Sequence, residues 1–534
     1  MKTILKTLFI LALISLYSCA EKPEPAIHYE ANWESLKQAP IPEWMLDAKF
    51  GIYTHWGVYS VPAFESNTYA KEMYTPDSKG DPRGVKAHHQ EKYGDVANFG
   101  YADFIKMFKA EKFDAAEWVG VMKGSGAKFG GLCLVHHDGF ALWDSEFTQW
   151  DAMDKGPKRD IYGEIATEIK KNDMKLAATF HHGRTFGWVV NGKDGYTQKQ
   201  LDTWDIFKSE YADFYRDPST EPKESFGNEW ASKVREVIRK YEPDMLWFDG
   251  LAGSIKNDII PNDTITSIFA DYLNKMVADG KEGVIANKLP AGRRWNFPNG
   301  FGLRTYENAR DLEKDPQGYW LSDRAISYPW SYVENKNYNL TSDHHIRSIV
   351  DKISRGGIFF LSLTPKGDGS IPDEEKQIMS EIGEWMNVNG EAIYSTRTWV
   401  VQAEGPTEML ERDERRKTHK WNFDKLTAND FRFTRSKDLK TLYTMVVGWP
   451  EDGKVEIKTL AKGNEHDVQI KDLSMLGVDE EIKWEQDEEK LTIWFPEEKP
   501  CEVAYSFKID VKNKLSAPET DNTFPEFPEY VKNK

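Results

Sequence analysis

A carboxylate at the end of a short apolar run is the first group in this sequence that could do chemistry. Residues 245–248 read Met-Leu-Trp-Phe, a pattern typical of a strand buried on both faces, and Asp249 and Gly250 follow directly. A charged side chain at the end of a buried strand is costly unless it is paired or used. The pattern alone leaves two roles open for Asp249: a catalytic carboxylate, or a group that braces the next loop.

Polar side chains also end several other apolar runs of the chain. They are His55, His136, His137 and Asp138, His181 and His182, and Glu307. If the runs are parallel strands of one barrel, their carboxyl ends meet on a single rim, where barrel enzymes build their active sites. The repetition therefore favours one shared pocket, and it makes catalysis the better interpretation of Asp249.

The elements that must position these groups alternate along residues 31–392. Candidate strands lie at 49–57, 128–137, 174–180, 245–249, 283–287, 303–307, 325–328 and 358–363, with amphipathic helices between them. This alternation predicts an α/β fold, a (β/α)8-like TIM barrel. Past residue 395, short alternating runs separated by turn residues predict a C-terminal antiparallel β-sandwich to residue 512, with a polar tail at 513–534.

The bulk composition narrows the class of partner. The 534-residue chain has a formal net charge of -17, which disfavours nucleic acid because phosphate binding needs a basic surface. Aromatic residues make up 13 % of the chain, which suits sugar-binding clefts and large cores alike. Adjacent histidines on a strand point to opposite sides, and no metal-ligand spacing of Cys or carboxylates accompanies them. We therefore expect neither a cofactor nor a catalytic metal.

The first residues have the pattern of a targeting segment. A basic start and an apolar run at 8–16 precede Ser18 and Cys19, and the run is too short to span a bilayer. The segment resembles a bacterial lipoprotein signal at 1–18, with Cys19 as the lipidated first residue and 19–30 as a tether. We expect an exported protein that contacts the membrane only through its lipid, in the periplasm or at the cell surface. Composition does not indicate an oligomeric state.

Several longer motifs resemble those of one enzyme family. Residues 48–63 read Ala-Lys-Phe-Gly-Ile-Tyr-Thr-His-Trp-Gly-Val-Tyr-Ser-Val-Pro-Ala, and residues 136–145 read His-His-Asp-Gly-Phe-Ala-Leu-Trp-Asp-Ser. Together with Leu-Trp-Phe-Asp-Gly at 246–250 and Pro-Lys-Gly-Asp-Gly-Ser-Ile at 365–371, they resemble the α-L-fucosidases of glycoside hydrolase family 29. The resemblance implies an exported exo-glycosidase that releases terminal α-L-fucose or a close relative from an oligosaccharide, with retention of configuration.

The resemblance also implies roles for particular residues. Asp249 occupies the place of the family's nucleophile, and Trp247 would line the pocket. His55, His136 and His137 match histidines that contact sugar hydroxyls. The sequence at 302–307 resembles the family's acid/base segment, so Glu307 is the expected acid/base, with Glu313 and Glu334 as rivals in adjacent loops. A retaining mechanism requires an ionised nucleophile and a protonated partner about 5–5.5 Å away.

Three pocket positions depart from the family pattern. Asn67, Thr68 and Tyr69 stand where the family has Glu-Trp-Tyr, a His at 181 or 182 replaces a third-strand Tyr, and Lys288 replaces an Arg. We expect Asn67, Tyr69, His182 and Lys288 to contact the sugar. The departures leave two alternatives open: an α-L-galactosidase on the same scaffold, or a surface glycan-binding protein with weakened catalysis.

Overall fold

The computed structural model describes residues 27–251, 258–288, 297–298, 300–308, 318–414 and 418–519. Several expectations lie outside these residues: the signal at 1–18, Cys19, most of the tether, Glu313 and the end of the tail.

Eight parallel strands close into a barrel, each pairing with its neighbours in chain order. They are β1 (Phe50–Thr54), β2 (Phe129–Val135), β3 (Lys175–Phe180), β4 (Met245–Phe248), β5 (Val284–Lys288), β6 (Leu303–Glu307), β7 (Trp320–Ala325) and β8 (Gly357–Leu363). Successive side chains of a strand point to opposite faces, and one set fills a separate core that contains Tyr53, Trp247 and Phe360. The other set packs outward under the helices.

Helices cover the outside of the barrel, and further short helices lie in the loops between its strands. In chain order they are α1 (Trp33–Leu36), α2 (Glu43–Ala48), α3 (Tyr69–Met73), α4 (Val85–Lys92), α5 (Phe104–Met107), α6 (Ala115–Gly124), α7 (Ile161–Lys171), α8 (Gln198–Thr203), α9 (Ala212–Tyr215), α10 (Lys223–Tyr241), α11 (Asn262–Ala278), α12 (Ser342–Ser354) and α13 (Asp373–Asn389). Within the described ranges, none of these helices has both the length and the apolar character needed to cross a bilayer.

Helix α7 shows how the sequence specifies this layer. Asp160 caps its first turn, because the carboxylate accepts a hydrogen bond from the Gly163 amide at 3.0 Å. Ile161, Ile165 and Ile169 recur at four-residue spacing and are all buried. The cap and the apolar stripe together fix where the helix begins and which face it turns to the barrel.

The C-terminal domain is built from antiparallel sheets. Its strands are β9 (Arg397–Glu404), β10 (Leu410–Asp413), β11 (Thr418–Trp421), β12 (Phe431–Arg435), β13 (Thr441–Val447), β14 (Lys454–Ile457), β15 (Ile470–Met475), β16 (Trp484–Gln486), β17 (Leu491–Trp494) and β18 (Ala504–Val511). A five-stranded sheet (β15-β18-β13-β12-β9) and a three-stranded sheet (β14-β17-β16) share one apolar core, and β10 and β11 pair separately. The predicted barrel and antiparallel domain are thus both confirmed.

A buried ion pair joins the two domains. Asp351 on α12 accepts a hydrogen bond from Arg432 on β12 at 2.5 Å and another from Arg355 at 3.2 Å. Burial alone would raise the pKa of Asp351, but the two arginines outweigh it and lower that pKa. Removing one member of such a pair costs about 3–5 kcal/mol, so this contact fixes the sandwich against the barrel.

The seventh strand differs from its prediction. The sequence favours residues 325–328, whereas β7 spans Trp320–Ala325. The strand contains Ser322, Asp323 and Arg324, all buried, and this polar content hides it from a search for apolar runs. Asp323 belongs to the site described next, which explains why a charged residue is kept inside the barrel.

Candidate active site

Strand alternation delivers Asp249 to the centre of the barrel mouth. Met245 and Trp247 of β4 point into the barrel core, whereas Leu246 and Phe248 pack outward. By the same two-residue period, Asp249 also points into the barrel. Its amide donates to the Phe180 carbonyl at 2.9 Å, which continues the pairing with β3. Gly250 then turns the chain with φ +72°, where a Cβ atom would lie 2.0 Å from Cδ of Arg184. A side chain at position 250 would disturb the aim of Asp249.

Asp249 is held as a carboxylate by its neighbours. Its Oδ2 lies 3.4 Å from Nε2 of His137, whose Nδ1 donates to the His181 carbonyl at 2.7 Å. Burial alone would raise the pKa of Asp249, but the positive charge of Lys288 and the hydrogen bond from His137 lower it well below its usual range. The group is therefore ionised and partly accessible, as a nucleophile must be.

Lys288 is the cation of the site. Its Nζ lies 2.8 Å from Oδ2 of Asp323 and 3.2 Å from Oε2 of Glu307. The ammonium also lies 4.7 Å from the centre of the Trp330 ring, so an aromatic face covers it. Burial would lower the pKa of Lys288, but Asp323, Glu307 and Asp249 raise it, so the side chain stays protonated. The ammonium of Lys288, at the end of β5, thus interacts electrostatically with Glu307 at the end of β6 and with Asp249, which follows β4.

Three imidazoles form one wall beside this charged group. The ring of His55 lies 5.1 Å from that of His181 and 5.7 Å from that of His136. Burial lowers the pKa of all three well below the usual value, so they are neutral at physiological pH. His136 Nδ1 and His181 Nε2 are buried and have no hydrogen-bond partner among the described residues. Such nitrogens can pair with ligand hydroxyl groups.

Two further predicted residues lie next to this wall. The Asn67 side-chain amide is 2.9 Å from His136 Nε2, so the loop after β1 positions that ring. Trp247 lies deeper, with its ring centroid 5.1 Å from that of His181, and its Nε1 donates to Thr305 Oγ1 at 2.9 Å. Asn67 thereby orients a neighbour, and Trp247 supports the cluster from below.

Two of the residues expected to contact the sugar lie apart from this wall. His182 is out of phase with His181 and stacks on Trp230 of α10 in the layer between the barrel and the helices. Tyr69 is fully buried, and its hydroxyl is 3.1 Å from His89 Nδ1 on α4. Both side chains pack beside helices, whereas His181 lies in the wall itself. Packing accounts for both positions, because His182 packs against α10 and Tyr69 packs against α4.

The candidates for the acid/base are placed differently. Glu307 ends β6 and faces Lys288, inside the cluster. Glu334 is exposed in the loop after β7, and its amide donates to the Ala63 carbonyl at 2.8 Å. Glu313 lies outside the described residues. Geometry therefore favours Glu307 over Glu334.

Sequence reasoning missed Asp323 and Tyr53. Asp323 is fully buried on β7 and accepts a hydrogen bond from the Tyr53 hydroxyl at 2.6 Å. Both side chains lie in the inward phase of their strands, and counting every second residue back from the barrel mouth would have found them. In the described part of the chain, no three His, Cys, Asp or Glu side chains converge as metal ligands would.

Comparisons with known proteins give the family. Residues 16–391 match the family model described as alpha-L-fucosidase, and residues 424–510 match that of the alpha-L-fucosidase C-terminal domain. The chain is 27 % identical to tissue alpha-L-fucosidase of Rattus norvegicus over 501 residues, which cover 91 % of this chain and 93 % of that protein. It is 29 % identical to alpha-L-fucosidase of Dictyostelium discoideum over 412 residues, 74 % and 78 % of the two chains.

Solved structures agree with the sequence comparisons. The Thermotoga maritima alpha-fucosidase in complex with fucose has a TM-score of 0.66 and 25 % identity, and the match covers 90 % of this chain and all of that one. The family model alone spans well over half of the chain. The chain therefore belongs to the α-L-fucosidase family, glycoside hydrolase family 29.

Proposed function

We propose that this protein is a retaining exo-α-L-fucosidase with Asp249 as the nucleophile and Glu307 as the acid/base. The observation that carries the proposal is the state of Asp249: a carboxylate in the barrel mouth, kept ionised by Lys288 and His137. An attacking carboxylate must be charged and close to a group that can transfer a proton. Glu307, which shares Lys288 with it, is that group.

The reaction divides into two displacements. In the first, the Glu307 carboxyl gives its proton to the glycosidic oxygen while an Asp249 oxygen bonds to C1 and the C1–O bond to the aglycone breaks. In the second, the Glu307 carboxylate takes a proton from water, the water oxygen bonds to C1, and the Asp249–C1 bond breaks. Two inversions at C1 release fucose with its original configuration.

The neutral imidazoles are suited to binding the sugar. Two of their buried nitrogens, His136 Nδ1 and His181 Nε2, have no hydrogen-bond partner among the described residues and would form hydrogen bonds to sugar hydroxyls when the substrate binds. A neutral ring can donate from one nitrogen and accept at the other, which a hydroxyl can match in either sense. Binding would therefore position C1 without adding charge beside Asp249.

A covalent label on Asp249 is the direct test. A 2-deoxy-2-fluoro-α-L-fucosyl fluoride reacts in the first displacement, and its fluorine slows the second, so the glycosyl-enzyme accumulates. We expect stoichiometric inactivation and a mass increase of one fluorofucosyl group on the peptide that contains Asp249. Excess fucose should slow the labelling. A label on another carboxylate, or no label with an active enzyme, would contradict the assignment of the nucleophile.

The sugar itself is tested by comparing substrates. The proposal predicts a higher kcat/KM on 4-nitrophenyl α-L-fucoside than on 4-nitrophenyl α-L-galactoside, which differs by one hydroxyl at C6. A preference for the galactoside would support the first alternative. Binding of α-L-glycosides without turnover of either substrate would support the glycan-binding protein.

We further propose that the protein is exported and lipidated at Cys19. The support is the pattern of the first residues: a basic start, a short apolar run, and Ser18 before Cys19. Expression in a bacterium with a radioactive fatty acid should label the protein and place it in the membrane fraction. Cys19→Ser should lose the label. An unlabelled wild-type protein in the soluble fraction would rule out the lipid anchor.

A further inference from the structure

One ammonium group, that of Lys288, interacts with several carboxylates in the active site. Lys288 is 8 % exposed and contacts Asp323, which is fully buried, as well as Glu307. Asp323 is itself held by the Tyr53 hydroxyl on the opposite side of its carboxylate. The position of Lys288 is therefore fixed from beneath by β7 and β1, independently of the two residues that react.

We propose that Asp323 is a positioning residue that holds Lys288 between the nucleophile and the acid/base, so that this one cation neutralises negative charge on either side. The inference rests on the proposed function, because it assigns the roles of Asp249 and Glu307 as above. It adds a buried residue that does not touch the substrate and acts only through Lys288.

The charge balance of the two displacements explains why a shared cation helps. The proposed first displacement starts with Asp249 and Asp323 as carboxylates, Lys288 as an ammonium, and Glu307 carrying the proton that it transfers. After it, Asp249 is an ester and Glu307 is the carboxylate. The net charge of the four groups is one negative charge in both states. Only its location changes, from Asp249 on one side of Lys288 to Glu307 on the other. A fixed cation stabilises both states without moving, which is the advantage of preorganised electrostatics.

The groups that act on Lys288 come from six strands or their ends. They are His55 (β1), Cys133 (β2), His181 (β3), Trp247 and Asp249 (β4), Glu307 (β6), and Asp323 with Trp330 beyond it (β7). The imidazoles are neutral, and burial raises the pKa of the Cys133 thiol, so it is neutral too. The negative charges that act on Lys288 therefore come from Asp323, which is the nearest, and from whichever of Asp249 and Glu307 is ionised in that state.

Removing either charge of the pair should shift the pH dependence in opposite directions. Asp323→Asn leaves the Lys288 charge less neutralised, which favours the ionised forms of Asp249 and Glu307. Both limbs of the kcat/KM profile should then move to lower pH by about 0.5–1 unit. Lys288→Met removes the cation, so both limbs should move to higher pH. The substrate is a fucosyl disaccharide, whose leaving group needs a proton from Glu307.

Two further variants make the test robust. The double variant, which combines Asp323→Asn with Lys288→Met, buries no charge at either position and should return both limbs close to their wild-type pH, although at a lower rate. Asp351→Asn removes a similarly buried carboxylate at the domain interface and should lower the melting temperature without moving either limb. If Asp323→Asn does not fold, Lys288→Met and the double variant still give the comparison.

The outcomes separate this inference from the proposed function. Limbs that stay in place, or that move in the same direction in both single variants, would overturn the role of Asp323. Opposite shifts that cancel in the double variant would support it. Labelling of Asp249 in the wild-type enzyme tests the proposed function separately, so a labelled enzyme with unmoved limbs refutes the inference alone.

Discussion

Replacing Asp249 with alanine is expected to lower kcat/KM on a fucosyl disaccharide by ~10⁴-fold or more, equivalent to ~5.5 kcal/mol of transition-state stabilisation. The variant loses the atom that bonds to C1, and no other described carboxylate of the cluster has its position at the end of β4. Lys288 keeps Asp323 and Glu307 as partners, so the variant should still fold. Initial rates of fucose release measure the loss, and circular dichroism checks the fold.

Azide should restore part of the lost activity in Asp249→Ala. The small anion can occupy the space left by the carboxylate, where Lys288 attracts it. It attacks C1 from the side that Asp249 would use, in one displacement, so the product from 4-nitrophenyl α-L-fucoside is β-L-fucosyl azide. Nuclear magnetic resonance of the product gives its anomeric configuration.

An aspartate at the opposite end of the same strand is the matched control. Asp244 precedes β4 and accepts a hydrogen bond from the Leu176 amide at 2.8 Å, and its Oδ1 lies 3.1 Å from Lys175 Nζ. Asp244→Ala should reduce stability but retain most of the activity, and azide should not change its product. If Asp249→Ala keeps its activity, or if azide leaves it inactive on every α-L-fucoside, Asp249 is not the nucleophile.

The sequence was sufficient for the residues that end strands of ordinary composition. The apolar run before Asp249 marks β4, and the same reasoning places His55, His136 and His137 on the rim, because parallel strands of a closed barrel end together. Glu307 also ends a predicted strand, whereas Lys288 was named through the family resemblance. The apolar runs did not show which of two adjacent side chains at a strand end points into the barrel. For His181 and His182, only the two-residue period relative to Ala177 and Phe180 shows that His181 points inward.

Asp323 shows where this kind of reasoning fails for a physical reason. Its strand carries a buried Ser, Asp and Arg in succession, so it lacks the apolar character by which a buried strand is recognised. Burial raises the pKa of Asp323, and Lys288 and Tyr53, which come from β5 and β1 and are distant in sequence, offset part of that cost. No local pattern contains that compensation. The sequence also does not place Asn67 and Tyr69 relative to the pocket, because a loop has no period that assigns its side chains to the pocket or the core.

Replacing Glu307 with alanine is the second variant with a large expected effect, and its size should depend on the leaving group. For a fucosyl disaccharide the sugar alkoxide needs a proton as it departs, so kcat/KM should fall by about 10²–10⁴-fold. For 4-nitrophenyl α-L-fucoside the phenolate leaves without one, and kcat/KM should fall far less. The second displacement loses its base, so a burst of 4-nitrophenol should precede a slow steady state. The alkaline limb of the disaccharide profile should disappear.

The configuration of the azide product separates this role from that of Asp249. In Glu307→Ala the glycosyl-enzyme still forms on Asp249, and azide then displaces that carboxylate, so two inversions give α-L-fucosyl azide. Asp249→Ala gives the β anomer by a single inversion. The matched controls are Glu334→Ala, whose side chain is exposed beyond β7, and Glu313→Ala. If either of these shows the dependence on the leaving group and the α-azide product, and Glu307→Ala does not, that glutamate is the acid/base, and the pairing of Lys288 with Glu307 is structural.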